Sequence, residues 1–138
     1  MLKPICLTLT LCLCVFAAIA QVNQTLPAKG DTAVPASAAQ QPNPVKPTAE
    51  SLAVGKKYYG YDCAMCHGAN GDGKGEVAVA EKQKLSDLRD PATLQDKTDG
   101  ELHYIIKSGR GQMPPEGDRL KGNDLWSLVN YIRSLAKK

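Results

Sequence analysis

The stretch Cys63-Ala64-Met65-Cys66-His67 separates two thiols by two residues and places a histidine directly after the second thiol. Two thiols at this spacing can each add across a vinyl group of the same haem to form thioether bonds, and the histidine is then held under the iron. A zinc ribbon needs a second cysteine or histidine pair, and a thioredoxin-like dithiol needs a βαβ surrounding. The sequence predicts neither. The motif therefore predicts one covalently attached haem c per chain, held by Cys63 and Cys66, with His67 as the proximal iron ligand.

Met113 is the methionine best placed to bind the opposite face of that iron. Met1 belongs to a segment that we expect to be removed, and Met65 lies in the attachment motif on the same side as His67. Met113 lies in the segment 109–115, Gly-Arg-Gly-Gln-Met-Pro-Pro, where glycine and proline allow an irregular loop to approach the haem and keep its shape. The sequence therefore predicts Met113 as the distal iron ligand.

Two alternatives to this assignment remain. A methionine often fills a gap in an apolar core, so Met113 could have a packing role alone. His103 is the other candidate ligand, but it lies in a predicted helix, outside the register of Ile105 and Ile106, as is typical of a surface residue. We expect His103 to be a surface residue and Met113 to bind the iron.

The first 20 residues have the pattern of a secretory signal peptide. Lys3 precedes an apolar run from Ile5 to Ala20 that ends in a small-x-small cleavage site. The run is short for a membrane span, which needs about 20 residues. We therefore expect cleavage after Ala20 and export to the periplasm, with an uncleaved segment anchored in the inner membrane as the alternative. The three other cysteines of the chain lie in this segment, so Cys63 and Cys66 are the thiols of the predicted mature protein.

Residues 21–47 are rich in proline, alanine and glutamine and have no aromatic residue. Such a composition cannot bury enough apolar surface to offset the entropy lost on ordering. We predict a disordered leader over 21–47, which becomes a tether if the signal segment is retained. Residues 48–138 are then one domain whose small core would be marginal without a large buried cofactor. The whole chain has 17 basic and 14 acidic residues, a net charge of +3, which excludes a strongly basic nucleic-acid-binding face.

Helical patterns dominate this domain. Leu52, Gly55, Tyr59 and Cys63 recur at helical spacing along a first helix that begins near Thr48. One or two short helices are expected between 76 and 96. A last helix, with Asn123 as its expected N-cap, carries an apolar stripe made of Leu125, Leu128, Val129, Ile132 and Leu135.

A third main helix precedes the predicted distal ligand. Thr98 and Glu101 form a capping box at its start. Gly109 is a typical helix terminator at its end. The helix is therefore expected to end directly before the loop that contains Met113.

Over residues 50–138 the chain resembles the class I, single-haem c-type cytochromes. In that family a glycine lies eight residues, and an aromatic residue four residues, before the first haem cysteine; here these are Gly55 and Tyr59. An aliphatic and an aromatic residue three positions apart on the last helix correspond to Leu128 and Tyr131. The resemblance implies that these four residues form the crossing of the first and last helices. It also implies that His67 and Met113 are the axial pair, with Pro114 following the methionine as is usual.

The resemblance implies an all-α cytochrome c fold, with three main helices and one or two short ones wrapped around one covalent haem. It implies a periplasmic one-electron carrier and not an enzyme. Its partners would be redox proteins such as membrane respiratory complexes or periplasmic oxidoreductases, with neither nucleic acid nor a small-molecule substrate. The alternatives are a dedicated haem subunit docked on a dehydrogenase, reductase or terminal oxidase, and an enzyme or gas sensor with a labile distal ligand. Candidate donors to the haem propionates are Arg110 and Trp126, the latter with a competing packing role.

Overall fold

The computed structural model describes residues 33–136, and its regular elements in this range are helical. The helices are α1 (Ala36–Ala39), α2 (Ala49–Tyr58), α3 (Ala64–His67), α4 (Glu76–Ala80), α5 (Pro91–Leu94), α6 (Asp99–Ser108) and α7 (Asn123–Leu135), with a π-helical turn over Tyr59–Cys63 between α2 and α3. The predicted all-α cytochrome c fold is confirmed. Its main helices are α2, α6 and α7, and the two short helices expected between 76 and 96 are α4 and α5. Within 33–136, no helix is both long enough and apolar enough to cross a membrane.

The first helix begins where the sequence predicts. Thr48 is the N-cap of α2, and its hydroxyl accepts a hydrogen bond from the backbone N–H of Ser51 at 3.3 Å. The Ser51 hydroxyl in turn accepts from the backbone N–H of Thr48 at 3.0 Å. The helix continues through the π-helical turn into α3. Such a turn holds an extra residue and is often found at functional sites. Here it leads into the attachment motif and ends at the first motif residue, Cys63.

The first and last helices cross at Gly55. A Cβ atom at this glycine would lie 2.2 Å from the carbonyl oxygen of Ser127 and 2.6 Å from the Cβ of Tyr131, both on α7. The rings of Tyr59 and Tyr131 pack with their centroids 5.3 Å apart, and Leu128 is fully buried beside them. The crossing implied by the family resemblance is therefore present.

The last helix supplies most of the core. Leu125, Leu128, Val129 and Ile132 of its apolar stripe are buried and Leu135 is half-buried. The prediction that Asn123 caps this helix is wrong by one residue. Gly122 occupies the N-cap position with a φ of 56°, a left-handed conformation that favours glycine, and Asn123 is already the first helical residue.

The capping box of α6 is confirmed. The backbone N–H of Thr98 donates to the Glu101 carboxylate at 2.6 Å, and the backbone N–H of Glu101 donates to the Thr98 hydroxyl at 3.1 Å. The helix ends at Ser108 and Gly109 follows it with a φ of 75°. The chain then enters the loop of Met113.

The prediction of a disordered leader over 21–47 needs correction for residues 33–47, which pack on the helical domain. The hydroxyl of Thr98 donates to the carbonyl oxygen of Ala39 at 2.6 Å, and a Cβ at Gly100 would lie 2.1 Å from the carbonyl oxygen of Ala38. Asn130 accepts a hydrogen bond from the Asn43 side chain at 2.8 Å and donates to the carbonyl oxygen of Val45 at 2.9 Å. Polar side chains of the domain thus supply hydrogen-bond partners to a segment that has little apolar surface of its own. Residues 21–32 and the predicted signal peptide lie outside the described residues.

Candidate haem site

The two motif thiols lie on successive turns of one helical segment. Cys63 is the last residue of the π-helical turn and Cys66 belongs to α3; both are free thiols. Cys63 is buried in the apolar core, and Cys66 is half-buried. Burial, together with the nearby carboxylates of Glu116 and Asp62, raises the pKa of the Cys63 thiol to about 12. Both side chains are free thiols, as thioether formation requires, and burial favours the protonated form of Cys63.

His67 ends α3 with a half-buried imidazole whose Nδ1 is buried and has no hydrogen-bond partner within the described part of the chain. Burial lowers the pKa of His67, which favours the neutral ring. Neutral imidazole is the form that binds metals, and a buried polar atom without a partner in a native domain calls for an explanation. A role as an iron ligand supplies one, so His67 fits the predicted site.

The glycine-rich turn after His67 wraps closely around α3. The backbone N–H of Gly73 donates to the carbonyl oxygen of His67 at 2.8 Å, and that of Gly75 donates to Cys66 at 3.1 Å. A Cβ at Gly75 would lie 2.3 Å from the carbonyl oxygen of Met65. Only glycine permits this approach. The result is that residues 59–67, the attachment segment, are held rigidly.

Met113 lies in a tight loop that is closed by its own backbone hydrogen bonds. Arg110 and Met113 exchange two backbone hydrogen bonds of 3.0 Å each. Gly109 and Gly111 have positive φ values of 75° and 60°, and a Cβ at Gly109 would lie 2.6 Å from the carbonyl oxygen of Met113. Met113 is half-buried and packs against the same apolar cluster that contains Cys63. The fold therefore brings the predicted distal ligand to the cluster that holds the attachment motif.

The interpretation of His103 as a surface residue is wrong. Its ring is half-buried and stacks on Trp126, with the ring centroids 3.9 Å apart and an interplanar angle of 21°. Trp126 is buried in the core, as expected of a residue with a packing role. Arg110, the other candidate propionate donor, is exposed. His103 is thus held between α6 and α7 by its aromatic neighbour.

A group of charged residues beside the motif was not singled out from the sequence. Asp62, next to Cys63, forms an ion pair with Arg119, whose second amino group lies 3.9 Å from the Glu116 carboxylate. Burial, followed by the charge of Asp62, raises the pKa of Glu116. No sequence signal links Asp62 to the other two residues, because they are distant in the chain and each is an ordinary charged residue in its own context.

The residues of this site fit a covalently bound haem better than a metal ion bound by the protein alone. Among residues 33–136, no group of three or more His, Cys, Asp or Glu side chains could hold a metal ion. The site instead offers two free thiols, the His67 imidazole and the Met113 thioether. This is the donor set of a c-type haem whose iron has one nitrogen and one sulfur ligand.

Comparison with known proteins agrees with that chemistry. The family model described as cytochrome C oxidase, cbb3-type, subunit III, matches residues 50–132. Cytochrome c6 of Cladophora glomerata is 33% identical over 85 residues, which are 61% of this chain and 88% of that protein.

Two solved structures share the fold. A chain of the reducing HAO-like protein complex of Kuenenia stuttgartiensis aligns with a TM-score of 0.57 and 26% identity, over 68% of this chain and 47% of that one. Cytochrome cL from Hyphomicrobium denitrificans aligns with a TM-score of 0.50 and 27% identity, over 75% of this chain and 64% of that one. The chain thus spans about half the length of the first structure and less than two thirds of the second. Because the family match runs through the attachment motif, the Met113 loop and both crossing helices, the chain belongs to that cytochrome c family and to the class I c-type cytochromes.

Proposed function

We propose that this chain is a one-electron carrier whose single haem is attached to Cys63 and Cys66 and whose iron is bound by His67 and Met113. The observation that carries the proposal is the packing of the Met113 loop and of Cys63 against one apolar cluster. The same segment that bears Cys63 bears His67, whose pKa is lowered by burial and whose buried Nδ1 has no hydrogen-bond partner among residues 33–136. Proteins of this family are electron carriers.

The four residues divide the work of holding the cofactor. Cys63 and Cys66 tether it, His67 supplies the proximal nitrogen, and Met113 supplies the distal sulfur. When bound, the haem supplies an iron that cycles between the ferric and ferrous states. A thioether ligand favours the ferrous state and so raises the reduction potential relative to a second histidine. If His67 and Met113 both bind the iron, no coordination position would be open to a substrate, which favours electron transfer over catalysis.

The surroundings of the attachment motif suit an electron carrier in a second way. Gly73 and Gly75 donate hydrogen bonds to the carbonyls of α3, and the Tyr59 hydroxyl donates to the carbonyl oxygen of Gly68 at 2.9 Å. These bonds fix the segment that carries the proximal ligand. A fixed ligand set changes little between oxidation states, which keeps the reorganisation cost of electron transfer low.

Exposed apolar side chains lie near the same motif and suit contact with a redox partner protein. Met65, between the two cysteines, is 55% exposed, Tyr61 is 68% exposed, and Val79 on the neighbouring α4 is 63% exposed. We infer that the partners are membrane respiratory complexes or periplasmic oxidoreductases. The periplasmic location rests on the signal-peptide pattern of residues 1–20.

A dedicated haem subunit of a larger redox enzyme is the second candidate. It is favoured by the similarity to a chain of the reducing HAO-like protein complex and by the subunit description of the matching family. Affinity purification from native membrane and soluble fractions separates the two functions. Stoichiometric recovery with a dehydrogenase, reductase or oxidase favours the subunit, whereas recovery of the free cytochrome favours the carrier.

Haem attachment is tested by mass spectrometry combined with acid-acetone extraction. The purified protein should have the mass of its polypeptide plus one haem, and the haem should resist extraction. The double variant Cys63→Ala, Cys66→Ala should lose its haem to the solvent. Retention of haem by this variant would contradict the proposal.

A further inference from the structure

Three charged residues join the two segments that carry the proposed iron ligands. Asp62 lies in the π-helical turn directly before Cys63, whereas Glu116 and Arg119 follow Met113 in its loop. An Nη2 of Arg119 contacts Oδ1 of Asp62, and its Nη1 lies 3.9 Å from Oε2 of Glu116. The Asp62 and Glu116 side chains are only 3% and 8% exposed, and that of Arg119 is 63% exposed. A single guanidinium thus covers two buried carboxylates from the solvent side.

The other contacts of this loop set its position against α6. The backbone N–H groups of Glu116 and Gly117 donate to the carbonyl oxygens of Ile106 and Lys107 at 3.0 Å each. These bonds hold the loop to the helix that precedes it. The Asp62–Arg119 ion pair joins different parts of the chain, because it links the loop to the attachment segment.

Loss of the Arg119 charge would act directly on this link. A buried carboxylate is costly unless a positive charge or hydrogen bonds compensate it. Oδ2 of Asp62 and Oε2 of Glu116 are buried and have no hydrogen-bond partner within the described part of the chain. Without Arg119, the two segments would face each other across two buried carboxylates that no cation compensates. Moving the Met113 loop away from the attachment segment would relieve this desolvation cost by letting water reach both carboxylates.

We propose that Arg119 and Asp62 are positioning residues that clamp the Met113 loop to the attachment segment and so keep the Met113 sulfur on the iron. This inference rests on the proposed function, because it needs Met113 to be a ligand. An irregular loop with two glycines in left-handed conformations has little helical support of its own. The ion pair supplies a cross-link between the loop that carries Met113 and the segment that carries Cys63 and His67.

A residue that merely stabilises the fold would behave differently from a clamp. General stabilisation changes the unfolding midpoint, whereas a clamp also changes how readily Met113 leaves the iron. Arg133 offers a matched control, because its Nε donates to Asp99 at 2.9 Å and its Nη1 donates to the carbonyl oxygen of Leu94 at 2.7 Å. This ion pair joins α7 to the start of α6 and does not involve the Met113 loop.

The experiment uses the ferric holoprotein and measures the rate at which added imidazole displaces Met113, followed by loss of the far-red charge-transfer band of the iron–sulfur bond. We expect Arg119→Gln to accelerate displacement by about tenfold or more, which corresponds to about 1.4 kcal/mol. Asp62→Asn should accelerate it less, since its amide oxygen still accepts from Arg119. Arg119→Lys should restore most of the wild-type rate. Arg133→Gln should lower the denaturant midpoint and change the displacement rate by less than about twofold.

Equal effects of Arg119→Gln and Arg133→Gln on the midpoint, with no change of displacement rate in either, would overturn the clamp while leaving the proposed function intact. Absence of the far-red band from the wild-type protein would instead overturn the Met113 assignment, and the clamp with it. If Arg119→Gln does not load haem, Asp62→Ala decides the question, because it removes the acceptor that Asp62→Asn retains. An unchanged displacement rate in Asp62→Ala would then contradict the proposal.

Discussion

The backbone of Gly55 lies directly against the carbonyl oxygen of Ser127, so that even a methyl group at position 55 would come within 2.2 Å of it. This contact sets the distance between the helix that leads to Cys63 and the helix that supplies most of the core. We predict that Gly55→Ala forces α2 and α7 apart and lowers the free energy of unfolding by about 1–3 kcal/mol or more. Denaturant unfolding of the holoprotein measures this change.

Gly60 provides the matched control for that substitution. A Cβ at Gly60 meets no atom within 4 Å. Gly60→Ala should therefore be neutral or stabilising by about 0.5–1 kcal/mol, because alanine loses less conformational entropy in a helix. Equal destabilisation by both substitutions would contradict the role of Gly55 as a contact point.

The assignment of Met113 is tested by replacing it and, separately, Met65. We predict that Met113→Ala removes the far-red band of the ferric protein, lowers the reduction potential because ferrous iron loses its thioether ligand, and admits carbon monoxide. Met65 is 55% exposed, so Met65→Ala should leave band and potential nearly unchanged. A wild-type protein with a high-spin spectrum would instead favour catalysis or sensing.

His103 is expected to influence stability and its pH dependence but not ligation. Burial, followed by the charge of Lys107, lowers the pKa of His103 below its ordinary value of 6.5. The fold therefore favours the neutral ring, and this contribution to stability is complete above about pH 6.5 and is lost as the pH falls through the lowered pKa. We predict that the denaturant midpoint of the holoprotein falls between about pH 7.5 and about pH 5 less steeply in His103→Gln than in the wild type.

The spectrum provides the second measurement for the same variant. His103→Gln should retain the far-red band and the low-spin spectrum, because the ring stacks on Trp126 and Met113 is the proposed distal ligand. Loss of the low-spin spectrum in His103→Gln, together with its survival in Met113→Ala, would assign the iron two histidine ligands.

Asn130 is expected to hold the segment 33–47 on the domain, because it bonds both Asn43 and the carbonyl oxygen of Val45. We predict that Asn130→Ala costs about 0.5–1.5 kcal/mol by removing hydrogen bonds to these half-buried groups, and that it accelerates protease cleavage within 33–47. Ser134→Ala, on the exposed side of the same helix, is the control and should alter neither. An unchanged cleavage rate in Asn130→Ala would show that the segment is held by other contacts.

Features that depend on neighbouring residues could be predicted from the sequence. The spacing of Cys63, Cys66 and His67 predicts a covalently attached haem by itself. The Thr98–Glu101 capping box and the terminator Gly109 bound α6 through bonds within a few residues. The crossing of Gly55 with α7 was predictable only through the family resemblance. The assignment of Cys63, Cys66, His67 and Met113 to a haem remains a prediction until the cofactor is measured.

Features that depend on contacts between distant segments could not be predicted in this way. Residues 33–47 have too little apolar surface to fold alone. They are ordered because Thr98 and Asn130 donate hydrogen bonds to their backbone carbonyls and because Gly100 lets the segment approach closely. Asp62 and Arg119 are ordinary charged residues in the sequence and become an ion pair only when the Met113 loop folds back onto the attachment segment. Hydrogen-bond partners and desolvation are properties of the packed chain, and residue types alone do not contain them.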